Sequence, residues 1–99
     1  MALLFVTYPA GGGSRFDRDY YVATHLPLVE KAWGPSGLRS ARAYFPASEG
    51  SDPVAVAVLT FAEEAAIGAA LASDATAGVL ADLANFTDIA PVIQRGTAP

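Results

Sequence analysis

The chain's one histidine closely follows two tyrosines, in the run Phe16-Asp17-Arg18-Asp19-Tyr20-Tyr21-Val22-Ala23-Thr24-His25-Leu26-Pro27-Leu28. An imidazole changes charge near neutral pH and can take a proton as a general base, while a phenol donates to an oxygen on which charge develops. Tyr21 lies four residues before His25, so on an undistorted helix the two share a face, beside Arg18 and Val22. Pro27 has no N–H, and its ring crowds the carbonyl four residues back, so the helix is expected to free the Ala23 carbonyl and kink, with His25 at the bend. The candidate catalytic residues are therefore His25, Tyr21 and Tyr20. The competing reading is structural: His25 donates to the freed backbone carbonyl and fastens the helix to a sheet.

Around this group stand aromatic residues that can contact a ligand. Tyr8 and Tyr44 fall at or near strand ends and are expected to face the same cleft. Trp33, just before Gly34-Pro35, is expected as a lid or core edge, and Phe61 and Phe86 as core residues and candidate ligand contacts. The pair Glu63-Glu64 suits the positive end of a helix dipole. One histidine without cysteine falls short of a metal site, and Glu30 at i+5 is badly placed to help, although a lone histidine can serve as an axial haem ligand. Gly11-Gly12-Gly13 superficially resembles a phosphate cradle. Phe16 occupies the place of the last glycine of a dinucleotide fingerprint, and no Gly-Lys-Ser/Thr follows, so a turn is expected and no cofactor is evident.

The elements that must position these side chains follow from the hydropathy pattern. Residues 2–8 read as a strand closed by Pro9 and the glycines. Ser14 or Asp17 is expected to cap a helix running to about Ala32, ended by Gly34-Pro35-Ser36-Gly37. Residues 38–45 read as a second strand with Arg39 and Arg42 on a wet face, residues 46–53 as a loop, and residues 54–61 as a strand covered on both faces. Thr60-Phe61-Ala62-Glu63 has the spacing of a capping box for a helix to about Ala72. Ser73-Asp74 is expected to recap a further segment to about Asn85. Ile67 and Leu71 in the first segment, then Val79, Leu80 and Leu83 in the second, lie at helical spacing and read as core. Residues 89–95 supply a last strand, with Pro91 placing it at an edge or at its start.

Strand, helix, two strands, helix, strand is the ferredoxin-like βαββαβ order, an α+β fold with a four-stranded antiparallel sheet. Ninety-nine residues suit one such domain, residues 1–99. Both helices then cover one sheet face. The bare face carries Leu, Phe and Val, and 53% of the chain is apolar against 16% charged, so a homodimer closed through the sheet face is expected. The net charge of −4 comes from scattered residues and offers no basic stripe for nucleic acid. The N-terminus lacks the basic flank of a signal peptide, and no apolar run approaches the roughly 20 residues of a membrane span, so the expected location is cytoplasmic, with no membrane partner.

Tyr8-Pro9, Phe16-Asp17-x-x-Tyr20-Tyr21-x-x-x-His25-Leu26-Pro27-Leu28, the Gly37-Leu38 turn and Ala81-Asp82-Leu83-Ala84-Asn85-Phe86-Thr87-Asp88 together resemble the EthD family, named for ethyl tert-butyl ether degradation. The resemblance covers nearly the whole chain and implies a dimeric α+β barrel. It also implies a small bacterial protein of the kind labelled reductase or oxidoreductase, and it supplies no proven role for His25, Tyr20 or Tyr21. Three functions stay open. The first is an EthD-like oxidoreductase or oxygenase accessory in catabolism or secondary metabolism, which holds a small apolar or aromatic molecule and whose redox cofactor is external or absent. The second is a cofactor-free cyclase, dehydratase or isomerase using His25 and a tyrosine. The third is a non-catalytic ligand-binding dimer.

Overall fold

In the computed structural model, which describes residues 1–98, four strands form one antiparallel sheet in the order β2-β3-β1-β4. Strand β1 (Ala2–Tyr8) pairs with β3 (Ala55–Phe61) on one side and β4 (Val92–Thr97) on the other, and β2 (Leu38–Tyr44) lies outside β3. The expected α+β order is the observed one. The period-two alternation decides which face is buried: Ala2, Leu4 and Tyr8 of β1 and Ala55, Ala57, Leu59 and Phe61 of β3 face the helices. Several of these are alanines, which leave room beneath the helices near the middle of the sheet.

The first helix begins at α1 (Arg18–Tyr20), passes through a wide π turn (Tyr21–His25) and continues as α2 (Leu26–Trp33). Asp17 is the cap, accepting the Tyr20 N–H at 3.0 Å; Ser14 is engaged elsewhere. The helix ends in a 3-10 turn over Gly34–Ser36, and Gly37 takes φ +118°, a left-handed conformation that a Cβ would strain. Of the helix residues, Leu26, Val29 and Trp33 are buried against the sheet.

Three local expectations are corrected. Thr60 and Phe61 remain in β3, and the helix α3 (Glu64–Ala72) starts after Glu63, which makes no side-chain cap bond, so there is no capping box. The break after Ala72 is present, but Ser73 closes the first segment and does not open the next. Its Oγ donates to the Ala70 carbonyl at 2.7 Å, as does Thr76 Oγ1. Helix α4 (Thr76–Ala81) then runs into a 3-10 turn over Asp82–Asn85. The last strand starts directly after Pro91 as an edge strand, at Val92 and not at Ile89, because proline has no N–H to give the ladder.

The other sheet face carries Leu3, Phe5, Val56 and Val58, all partly exposed, with Tyr44 and Val92 more than half exposed. No single helix is long and apolar enough to cross a membrane.

Candidate functional site

The helix disturbance expected at Pro27 takes the form of the π turn before it. The Leu26 N–H bonds to the Tyr21 carbonyl, one residue further back than in an α-helix. Widening of this kind inserts one residue into the helical register and often marks functional segments. Here it lets two consecutive side chains, Tyr20 and Tyr21, both pack toward the core. The Tyr21 ring is stacked on His25, with centroids 5.4 Å apart and planes 20° apart, and Phe86 covers the imidazole at 4.6 Å.

His25 is 3% exposed, and its partner is neither a backbone carbonyl nor a tyrosine. Its Nδ1 meets Oδ2 of Asp82 at 2.8 Å. The other carboxylate oxygen of Asp82 accepts the Tyr20 hydroxyl at 2.7 Å and the Asn85 amide at 2.9 Å. A carboxylate accepts only, so Nδ1 carries the proton in this bond and Nε2 is the nitrogen left for a ligand. Burial pushes the Asp82 carboxyl up, but the bonds from Asn85, Tyr20 and His25 outweigh it and hold the group below the ordinary carboxylate range. Among the described residues no buried side-chain nitrogen or oxygen lacks a partner.

A cavity of about 40 Å³ opens beside His25. Tyr8, Tyr21 and His25 are among the residues of its wall, which is otherwise formed by apolar side chains such as Val29, Ala57, Leu59 and Val79, with Trp33 among them. Its rim lies between α4 and the edge strand, where Leu80 and Ile93 are about half exposed. Burial pushes the Tyr8 phenol up to about 12. Burial pushes Tyr21 up further still, helped by the charge and hydroxyl of neighbouring Tyr8. Hydrogen bonding to Asp82 also raises Tyr20. All three phenols therefore remain protonated donors near neutral pH.

The structure thus gathers His25, Tyr21, Tyr8 and Trp33 around one space. Tyr20 stands behind it on Asp82. Phe61 and Phe86 are fully buried and do not line the cavity; Phe61 packs on Trp33 and Phe86 on His25. Tyr44 is on the opposite sheet face, beside an open groove with Phe45, Pro46, Asp52, Pro53 and Val56. Leu80, expected in the core, is instead at the cavity rim.

Asp82 and Asn85 lie in the Ala81–Asp88 run that carries the family resemblance, but neither is among the candidate site residues of the sequence. One signal was present for Asp82: it falls three residues after Val79, on the buried stripe of α4, where an aspartate needs a partner. The glycine run does meet an anion, but it is the chain's own. Asp88 takes the backbone N–H groups of Ser14 and Arg15, and no group of three or more metal-ligating side chains occurs among the described residues.

A family model described as the EthD domain matches residues 14–90. Among solved structures, an EthD-like protein from Ralstonia eutropha JMP134 is 32% identical, with a TM-score of 0.79 over 96% of this chain and 88% of that one. An EthD family protein from Bacillus halodurans C-125 is 18% identical, with a TM-score of 0.75 over 100% and 99% of the two chains. SnoaB, a cofactor-independent oxygenase from Streptomyces nogalater, shares the fold at 13% identity, with a TM-score of 0.65 over 99% and 93%. No curated protein matches the chain. With the family model spanning most of its length and a solved relative 32% identical over nearly all of it, the chain belongs to the EthD family.

Proposed function

We propose that this EthD protein binds a small, largely apolar organic molecule in the cavity beside His25, and that the His25–Asp82 pair acts on it as a general base. One observation carries the reading: a histidine whose Nδ1 is held by a buried carboxylate stands in the wall of an otherwise apolar cavity. In that arrangement Nε2 receives a proton from the substrate, Asp82 stabilises the imidazolium, and the Tyr21 or Tyr8 hydroxyl donates to the oxygen that gains charge. A cavity of about 40 Å³ admits only a small group, so an aromatic ring enters by displacing the rim residues Leu80 and Ile93. Deprotonation of this kind serves a cofactor-free cyclase, dehydratase or isomerase. By leaving a carbanion that dioxygen can oxidise, it also serves cofactor-independent oxygenation, the activity named for SnoaB, and so the oxidoreductase reading.

Trp33 is the only tryptophan and lines the cavity, so its emission reports occupancy. Cyclohexanone, a small enolisable ketone, is expected to change that emission saturably and to exchange its α-hydrogens for deuterium faster with the protein present. His25→Gln should remove about a hundredfold of the acceleration, the lower end of what a general base supplies. Saturable binding with no catalysed exchange would leave the non-catalytic ligand-binding function in its place.

A homodimer in the cytoplasm belongs to the same proposal. The partly exposed Leu3, Phe5, Val56 and Val58 form an apolar strip across the centre of the uncovered sheet face, and a second copy would remove it from water. Light scattering should give twice the chain mass for the native protein and the single mass for Val58→Glu. A native monomer at micromolar concentration would refute this part.

A further inference from the structure

His25 and Asp82 are 57 residues apart, and no local spacing fixes the 2.8 Å between them. Their distance depends on how the segment leading into α1 docks on the segment leaving the Asp82–Asn85 turn. Seven residues further along than the start of that turn, the Ile89 N–H is tied back to Thr87 Oγ1 at 3.0 Å, and Thr87 Oγ1 donates in turn to the Arg15 carbonyl at 2.6 Å. The Asp17 N–H bonds to the Phe86 carbonyl at 2.8 Å, and Arg15 Nη2 bonds to the Ala84 carbonyl at 2.9 Å. At the end of this seam the Asp88 carboxylate accepts the Arg15 N–H at 2.9 Å, the Ser14 N–H at 3.0 Å and the Ser14 hydroxyl at 3.3 Å. Gly13 makes the approach feasible, because a Cβ there would collide with that carboxylate and with Ile89.

The seam joins the two stretches that hold the His25–Asp82 network: Tyr20 and His25 follow one side of it, and Asp82 precedes the other. We infer that Asp88 is a positioning residue for the His25–Asp82 pair. Its carboxylate clamps the backbone at Ser14 and Arg15 and so sets where α1 and the π turn sit against the Asp82 turn. Asp88 is exposed and outside the cavity, so it touches no ligand. It acts through the backbone, by donors of the kind that bind a charged acceptor about twice as strongly as a neutral one. The role matters to the extent that the pair is a base, since a shift of about 1 Å in a catalytic group costs on the order of a hundredfold in rate.

Because the chain has one histidine, its two ring nitrogens give unambiguous nitrogen-15 signals, and the test needs neither substrate nor activity. In the native protein the shifts should report the Nδ1–H form, with that proton slow to exchange. Asp88→Ala, with its fold checked by the backbone spectrum, should exchange the Nδ1 proton about tenfold faster, the factor that a lost hydrogen bond of about 1.4 kcal/mol carries. Its nitrogen shifts should move toward a mixture of tautomers. Asp88→Asn keeps one acceptor oxygen and should fall between the two; it carries the test if the alanine variant does not fold. Val58→Ala, on the uncovered sheet face, lowers stability without touching the seam and should leave both signals native. A folded Asp88 variant with the native tautomer and exchange rate, or a Val58→Ala protein that changes them equally, would overturn the assignment. The proposed catalysis can fail independently: no binding or exchange of cyclohexanone together with altered imidazole signals in Asp88→Ala would retain the positioning role and discard the base.

Discussion

Two aspartates six positions apart, Asp82 and Asp88, solve opposite problems with the same side chain. Asp82 is buried and receives only side-chain donors: an imidazole, a phenol and an amide. Asp88 is exposed and receives backbone N–H groups and the hydroxyl of Ser14. Both carboxyls are held below the ordinary range, Asp88 chiefly by the Arg15 and Ser14 N–H groups and Asp82 by hydrogen bonds that outweigh its burial. The lesson is that a depressed carboxylate does not by itself mark chemistry. What distinguishes Asp82 is that one of its donors is an imidazole that borders a cavity.

Truncation should separate the two most sharply. Asp82→Ala leaves the Nδ1 of His25 and the Tyr20 hydroxyl without an acceptor in a site that water enters poorly, and should cost about 3 kcal/mol in urea unfolding. Asp88→Ala frees donors that water can satisfy, and should cost much less. Equal losses would erase the distinction between a buried and a solvated anchor.

Acid should weaken both sites in the same direction. A carboxyl whose folded pKa is depressed contributes stability above its unfolded value, about 3.9, and loses it as the pH falls through the lower folded value. Melting temperature should therefore drop below about pH 4, and either Asp82→Asn or Asp88→Asn should flatten that decline relative to the native chain. A native slope in both variants would mean that neither carboxylate is the group titrating.

The smallest expected effect falls on Tyr20. Tyr20→Phe removes one of three donors to Asp82 and should lower stability only slightly while moving the acid transition upward, because that donor helps keep the carboxyl ionised. Asn85→Ala should shift the same transition upward. An acid midpoint unmoved by Tyr20→Phe would show that the phenol follows Asp82 without supporting it.

Much of this site is legible where it depends on neighbours in the chain. The proline after His25 foretells an irregular helix, and four-residue spacing brings Tyr21 onto His25 even through the π turn. Trp33 lies two turns further along and reaches the same cavity. Tyr44 illustrates the limit. Leu38 faces the core, and strict alternation from it would send Ser40, Arg42 and Tyr44 the same way. A register shift between Leu38 and Ser40 reverses the parity, so Ala41 and Ala43 turn inward and Tyr44 turns out. Leu80 departs for a related reason: helical spacing assigns it to a stripe, but α4 sits at the edge of the sheet, and part of that stripe overhangs the cavity rim.

The sequence by itself determined the element order, the antiparallel α+β fold, the EthD family and the helix that carries His25, because these rest on hydropathy period, turn residues and a contiguous motif. Only the tertiary structure decided that the partner of His25 is Asp82, that Tyr20 and Tyr21 divide into a carboxylate donor and a cavity wall, and that the glycine run meets Asp88. Those pairings join residues 57 or more positions apart. They exist only once the sheet has formed and the two ends of the helical layer meet.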